Sequence, residues 1–147
     1  MKRGGSMLTV AIAQMYVTFH NVIDNYRNMG EMLESAKSKN ANVIVFPSFC
    51  LSGNLHKEDI LDPLLRDYSH KIALLSNDID ILWADGTSIY LATQGKLQVY
   101  FTSPTVLEIH GERVIVTTDI LSNIEESDLV FHLACDPISE YPSWLCV

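Results

Sequence analysis

The sequence predicts a single α/β domain, in which strand, helix and strand lead into a second helix and a β-rich second half. Three observations carry this. An alternating segment rich in β-branched residues, Met7 to Gln14, is followed by apolar residues at helical spacing and then by the unbroken apolar run Val43-Ile44-Val45-Phe46. From Ile79 onward the period changes to two, and glycine-bearing turns punctuate short strands. Finally, 48% of the 147 residues are hydrophobic, enough for one core without disulfides.

In chain order, Met7 to Gln14 reads as a strand because polar and apolar residues alternate along it. Asn21 is an N-cap, and Ile23, Tyr26, Met29 or Gly30, Leu33 and Ala36 then define a helix face to about Lys39. Val43 to Phe46 has no polar face, as expected of a strand covered on both sides, and Pro47 is expected to stop it. Strand, helix, strand implies a parallel unit. A second helix is expected from about Lys57 to Leu75, with Ile60, Leu64, Tyr68, Ile72 and Leu75 near one face and Pro63 in its first turn or so. Short strands follow at Ile79 to Leu82, Ser88 to Thr93, Lys96 to Phe101, Val106 to His110 and Arg113 to Thr118. Asp85-Gly86, Gln94-Gly95 and His110-Gly111 are the turns between them. The polar stretch Ser122 to Ser127 holds at most a helical turn or so, and Asp128 to Ala134 is the last strand.

Charge and cysteine usage narrow the function classes. A formal net charge of -8, from 10 basic and 18 acidic residues, disfavours nucleic acid and anionic membrane surfaces as partners. No run reaches the roughly 18 apolar residues of a spanning helix. Residues Met1 to Ser6 read as an N-terminal extension or tag remnant, with residues 7–147 forming the domain. The stretch behind them is too short and too alternating for a signal peptide, so a cytoplasmic address is expected. The three cysteines, Cys50, Cys135 and Cys146, are odd in number and irregularly spaced, which fits reduced thiols. His132 and Cys135 lack a second ligand pair, so neither a metal nor another cofactor is expected.

Several segments carry a family resemblance. Thr9-Val-Ala-Ile-Ala-Gln14, Asn25 and Ala41-Asn-Val-Ile-Val-Phe-Pro47 resemble the opening of a nitrilase-superfamily carbon–nitrogen hydrolase. Leu51-Ser52-Gly53 and Glu58-Asp59-Ile60 are similar to one branch, the glutamine amidase domain of NAD synthetase. Gly111-Glu-Arg-Val-Ile-Val-Thr-Thr-Asp-Ile120 resembles the strand and elbow that present the family's nucleophile, and Ser127 to Pro137 the strand and loop after it. The segments also occur in the family's order. The resemblance implies an α-β-β-α sandwich and a Glu–Lys–Cys catalytic set, in which glutamate takes the thiol proton and lysine steadies the oxyanion. At the glutamate position this chain has Ser48, and at the cysteine position Thr117. The loop that would carry the lysine shrinks to Thr102-Ser103-Pro104. A hydroxyl near neutral pH is neither a useful base nor, unaided, a good nucleophile.

The expectation is therefore an abbreviated nitrilase-like sandwich, about half of the full domain, completed by oligomerisation. It would be catalytically degenerate, serving as a scaffold or as a partner subunit in a homo-oligomer or beside a related full-length hydrolase or synthetase. The rival expectation is an amidase or glutaminase acting through a relocated Cys50 or Cys135, or through residues lent by a partner. A third is a small-ligand module whose vestigial pocket uses Ser48, Thr117, Asp119 and Cys135. Filler roles for Cys50 and Cys135, and a hydrogen-bonding role for Asp119 in the elbow, are the plainer readings of those residues.

Overall fold

A computed structural model of the chain describes residues 8–19, 21–53, 63–85, 88–101, 104–118 and 129–133. Within them the strands are β1 (Val10–Ile12), β2 (Val43–Ser48), β3 (Asp80–Asp85), β4 (Ser88–Thr93), β5 (Lys96–Tyr100), β6 (Thr105–Ile109), β7 (Glu112–Thr117) and β8 (Leu129–His132). The helices are α1 (Val22–Ser38) and α2 (Pro63–Ala73). One sheet runs β1-β2-β3-β4-β5, the other β6-β7-β8. The expected parallel unit is present: β1 pairs β2, and β2 pairs β3, in parallel.

Strand alternation divides the five-stranded sheet into two apolar faces. Ile44, Phe46, Ile81 and Trp83 join Met29, Leu33 and Ala36 of α1 and Leu65 and Ile72 of α2 in one core. Their neighbours Val43, Val45, Leu82 and Ala84 point the other way. There they meet Leu107 and Ile109 of β6, Val114 and Val116 of β7, and Phe131 of β8. Both faces of β2 are thus buried, which is why its sequence is apolar without alternation. The described residues form three successive layers of the expected α-β-β-α order: helices, sheet and sheet.

Two turns are set by local chemistry. Gln94 and Gly95, with φ of 50° and 77°, close the β4–β5 hairpin, and His110 and Gly111, with φ of 49° and 78°, close β6–β7. Two consecutive positive-φ residues are the signature of a type I′ turn, whose twist matches the strands it joins. Asn21 caps α1 by accepting the Asp24 N–H at 3.1 Å. At the other end Asn40, at φ 59°, follows the last turn and closes it.

The structure corrects several details. Pro47 does not stop β2, which continues to Ser48 across a register shift between Val45 and Ser48. Proline lacks a donor for the ladder, and such an irregularity is where a sheet accommodates it. The buried face of α1 is Val22, Asn25, Met29, Leu33 and Ala36, so Ile23 is 46% exposed. Helix α2 buries Leu65, Ser69, Ile72 and Ala73, leaving Leu64 outside, and Leu75 lies beyond its last residue. The expected start of that helix, Lys57, and the polar stretch Ser122 to Ser127 lie outside the described residues. Asp85 is the last residue of β3, three residues past the expected end of that strand.

Gly30 lies within α1, beside a small gap lined by Tyr26, Met29, Phe46 and Ile72. A Cβ added there meets nothing within 4 Å. Gly30→Ala is therefore expected to stabilise the chain by about 0.5–1 kcal/mol, through lower unfolded-state entropy and better helix propensity. Urea unfolding measures this, and a loss of stability would show that the gap cannot take a methyl group.

Candidate functional site

The two sheets meet where β2 and β7 end. The Ser48 N–H donates to the Leu133 carbonyl at 2.7 Å, and the Leu133 N–H donates to the Thr117 carbonyl at 2.8 Å. On the other side, the Phe49 N–H bonds the Ala84 carbonyl at 2.7 Å. Residue 133 thus bridges the sheets, with Ser48 on one side and Thr117 on the other. The parallel β7–β8 pairing, which sets Thr117 opposite His132, delivers Leu133 to that place. Both Ser48 and Thr117 are buried, at 4% and 1% exposure. The fold therefore brings together the two positions singled out in the sequence. The two positions carry buried hydroxyl side chains, which can donate and accept hydrogen bonds but supply no basic group.

The remaining sequence candidates divide. Cys50 is fully buried in the core between helices and sheet, its sulfur 3.7 Å from that of Met29. A thiol with no exposed surface, packed among apolar side chains, is closed to a substrate. Asp119 and Cys135 lie outside the described residues. Among the described residues no group of three histidine, cysteine or acidic side chains is arranged to hold a metal ion. Nor is any helix among them long and apolar enough to cross a membrane.

Two structural roles were not read from the sequence, which marked Asn25 only as part of the family resemblance. Asn25 is fully buried and ties two loops to α1. Its side-chain oxygen accepts the Thr18 N–H at 2.6 Å, while its amide donates to the carbonyls of Thr18 at 2.9 Å and Leu51 at 3.0 Å. The second feature is Asp85, expected in a turn but ending β3 with its carboxyl desolvated. Burial pushes its pKa from 3.8 to about 7, although hydrogen bonds from the Ser52 hydroxyl and N–H pull the other way. Period two was the available signal. Ile81, Trp83 and Asp85 share a face, and the first two lie in the core. Trp83 stacks on Tyr90 across the strands, with ring centroids 5.1 Å apart.

No protein-family model and no curated protein matches this sequence. Solved structures do. Glutamine-dependent NAD+ synthetase from Acinetobacter baumannii superposes with a TM-score of 0.63 at 19% identity, over 75% of this chain and 27% of that one. An amidase from Nesterenkonia sp. gives 0.64 at 14% identity, over 77% of this chain and 56% of that one. An alanine variant of the Nesterenkonia AN1 amidase, of the nitrilase superfamily, gives the same score, identity and coverage. The chain thus spans between about a quarter and somewhat over half of the length of these proteins. At such identities the likeness is one of fold.

Proposed function

We propose, starting from a fold that is nitrilase-like, that this chain is a catalytically degenerate relative of the carbon–nitrogen hydrolases that acts as a scaffold or partner subunit. One observation carries the reading. The Ser48–Leu133–Thr117 junction draws together the two positions at which the sequence resemblance calls for a glutamate base and a cysteine nucleophile, and both side chains are buried hydroxyls. Without a base a hydroxyl is not activated, and without a thiolate no thioester forms. The core position of Cys50 weighs against a relocated nucleophile at that residue. On this reading the chain keeps the scaffold while its chemistry is gone, and it assembles with copies of itself or with a related full-length hydrolase or synthetase.

The expected result is a defined complex by light scattering and no ammonia from glutamine or simple aliphatic amides on the same sample. Ammonia release that disappears in Cys50→Ala or Cys135→Ala would overturn the degenerate reading and establish a thiol enzyme. A monodisperse monomer that still fails to associate when mixed with a nitrilase-like subunit would remove the partner role.

A further inference from the structure

The two edges of the five-stranded sheet differ. At the β5 edge Lys96 and Gln98 stand exposed, and a charged side chain there discourages a further strand. At the other edge β1 reads Val10-Ala11-Ile12 and carries no charge. Its backbone bonds alternate. The Thr9 carbonyl accepts from the Val43 N–H, and the Ala13 N–H donates to the Val45 carbonyl at 2.8 Å, so residues 9, 11 and 13 serve β2. The N–H and C=O groups of Val10 and Ile12 point outward, and no strand among the described residues pairs with them.

Along that edge a groove of about 160 Å³ lies between β1 and α1, lined by Ala11, Ala13, Met32, Ser35, Ala36 and Lys39. It exists because the helix-side residues of β1 are alanines, too short to fill the space beneath this flank of α1. Glu31 lies one turn before Ser35 and Lys39 one turn after it, about 12 Å apart along the axis. Both are exposed, and neither makes an ion pair among the described residues. On the opposite face of the same edge Leu8 and Val10 are only partly covered by the core between the sheets.

We propose that β1 is a self-complementary interface, at which a second copy of the chain pairs antiparallel about a two-fold axis at Ala11 and makes one continuous sheet. This deepens, and rests on, the reading of the chain as an assembling subunit. Hydrogen bonding, shape and charge each favour a second copy as the occupant. Centred on Ala11, the pairing sets Val10 opposite Ile12 of the second copy and Ile12 opposite its Val10, and each such pair exchanges both of its bonds. An axis perpendicular to the sheet keeps both α1 helices on one side and runs them antiparallel beside each other. Ser35, which shares the groove with Ala11, then meets Ser35 of the second copy, a small residue at the closest approach. Because Glu31 and Lys39 flank Ser35 equally, the axis brings Lys39 of each copy toward Glu31 of the other. The ion pair therefore occurs twice, as an isologous contact requires. Met32 and the Lys39 stem fill the grooves, and the same contact covers Leu8 and Val10.

Sedimentation equilibrium of the full chain over a range of concentrations tests this, and the parent is expected to dimerise. Lys39→Glu and Glu31→Lys each place like charges together at two points of the dimer and should each weaken it about tenfold. Mixed in equal amounts, the two variants should regain parent-like affinity, since a mixed dimer pairs opposite charges at both points. In the parent, hydrogen exchange of the Val10 and Ile12 amides should slow as the dimer forms. A parent that stays monomeric overturns the interface, as does a mixture no tighter than its components. So do Val10 and Ile12 amides that exchange freely in the dimer, or that slow only when an unrelated extended peptide is added. A dimer indifferent to both reversals overturns this interface but leaves the subunit reading standing. That reading fails only if the parent neither self-associates nor joins a nitrilase-like subunit.

Discussion

Replacing Asn25 by leucine is expected to lower stability by about 3 kcal/mol or more, despite the near-equal volume of the two side chains. Three hydrogen bonds of 2.6–3.0 Å are lost together. The Leu51 carbonyl, in a fully buried residue, is left without that partner, whereas water can reach part of the Thr18 peptide. A buried group left unsatisfied costs about 1–3 kcal/mol, so the Leu51 side of the loss dominates. For a chain of this size the thermal midpoint should fall by roughly 10 °C. Asn25→Asp separates the contributions, because it keeps an acceptor for the Thr18 N–H but loses both donations. Urea denaturation of the three proteins is the measurement. A loss under about 1 kcal/mol in Asn25→Leu would show that the loops are held by packing and not by this amide.

Replacing Asp85 by asparagine works in the opposite direction and depends on pH. The folded chain holds the Asp85 proton to about pH 7, whereas the ordinary carboxyl releases it near 3.8. Between those values the folded state binds more protons than the unfolded state, so raising the pH favours unfolding. The stability associated with this group is whole below pH 3.8 and is lost as the pH rises through about 7. The ceiling on that loss is about 4 kcal/mol, and any local opening that hydrates the carboxylate reduces it, so about 2–4 kcal/mol is expected. Asp85→Asn removes the titration and retains an acceptor for Ser52. Relative to the parent it should gain most at about pH 8 and little at about pH 4. Denaturation curves at both values decide the matter, and equal effects at the two would sink the assignment of a neutral Asp85. The effect differs in kind from the Asn25 prediction, since one removes hydrogen bonds that folding needs and the other removes a charge that folding resists.

The two large effects fall on polar residues in apolar positions, and that is also where the sequence was hardest to read. Along α1 the helical face was legible from Met29, Leu33 and Ala36, but its first turn was taken from Ile23. The residues buried there are Val22 and Asn25. A polar side chain at a core position is invisible to a hydrophobicity pattern, because what makes it tolerable is a set of partners 7 and 26 residues away. Asp85 was misread for the same reason. Next to a glycine it has turn chemistry, yet Trp83 and Ile81 place its side chain on a core face.

Features that depend on neighbours in the chain were legible before folding. This covers the Gln94-Gly95 and His110-Gly111 turns, the Asn21 cap, the two-sided burial of Val43 to Phe46, and the hydroxyl side chains at residues 48 and 117. Long-range packing, by contrast, carries β2 on through Pro47, lets Asn25 staple two loops, and sets Asp85 desolvated against Ser52. It also decided that Leu133 joins Ser48 to Thr117. Turn geometry and strand burial are fixed by steric preferences and by composition within a few residues. The fate of a proline in a strand, a buried amide or a buried acid depends on which distant backbone groups arrive to meet it, and the two packed sheets bring those groups together.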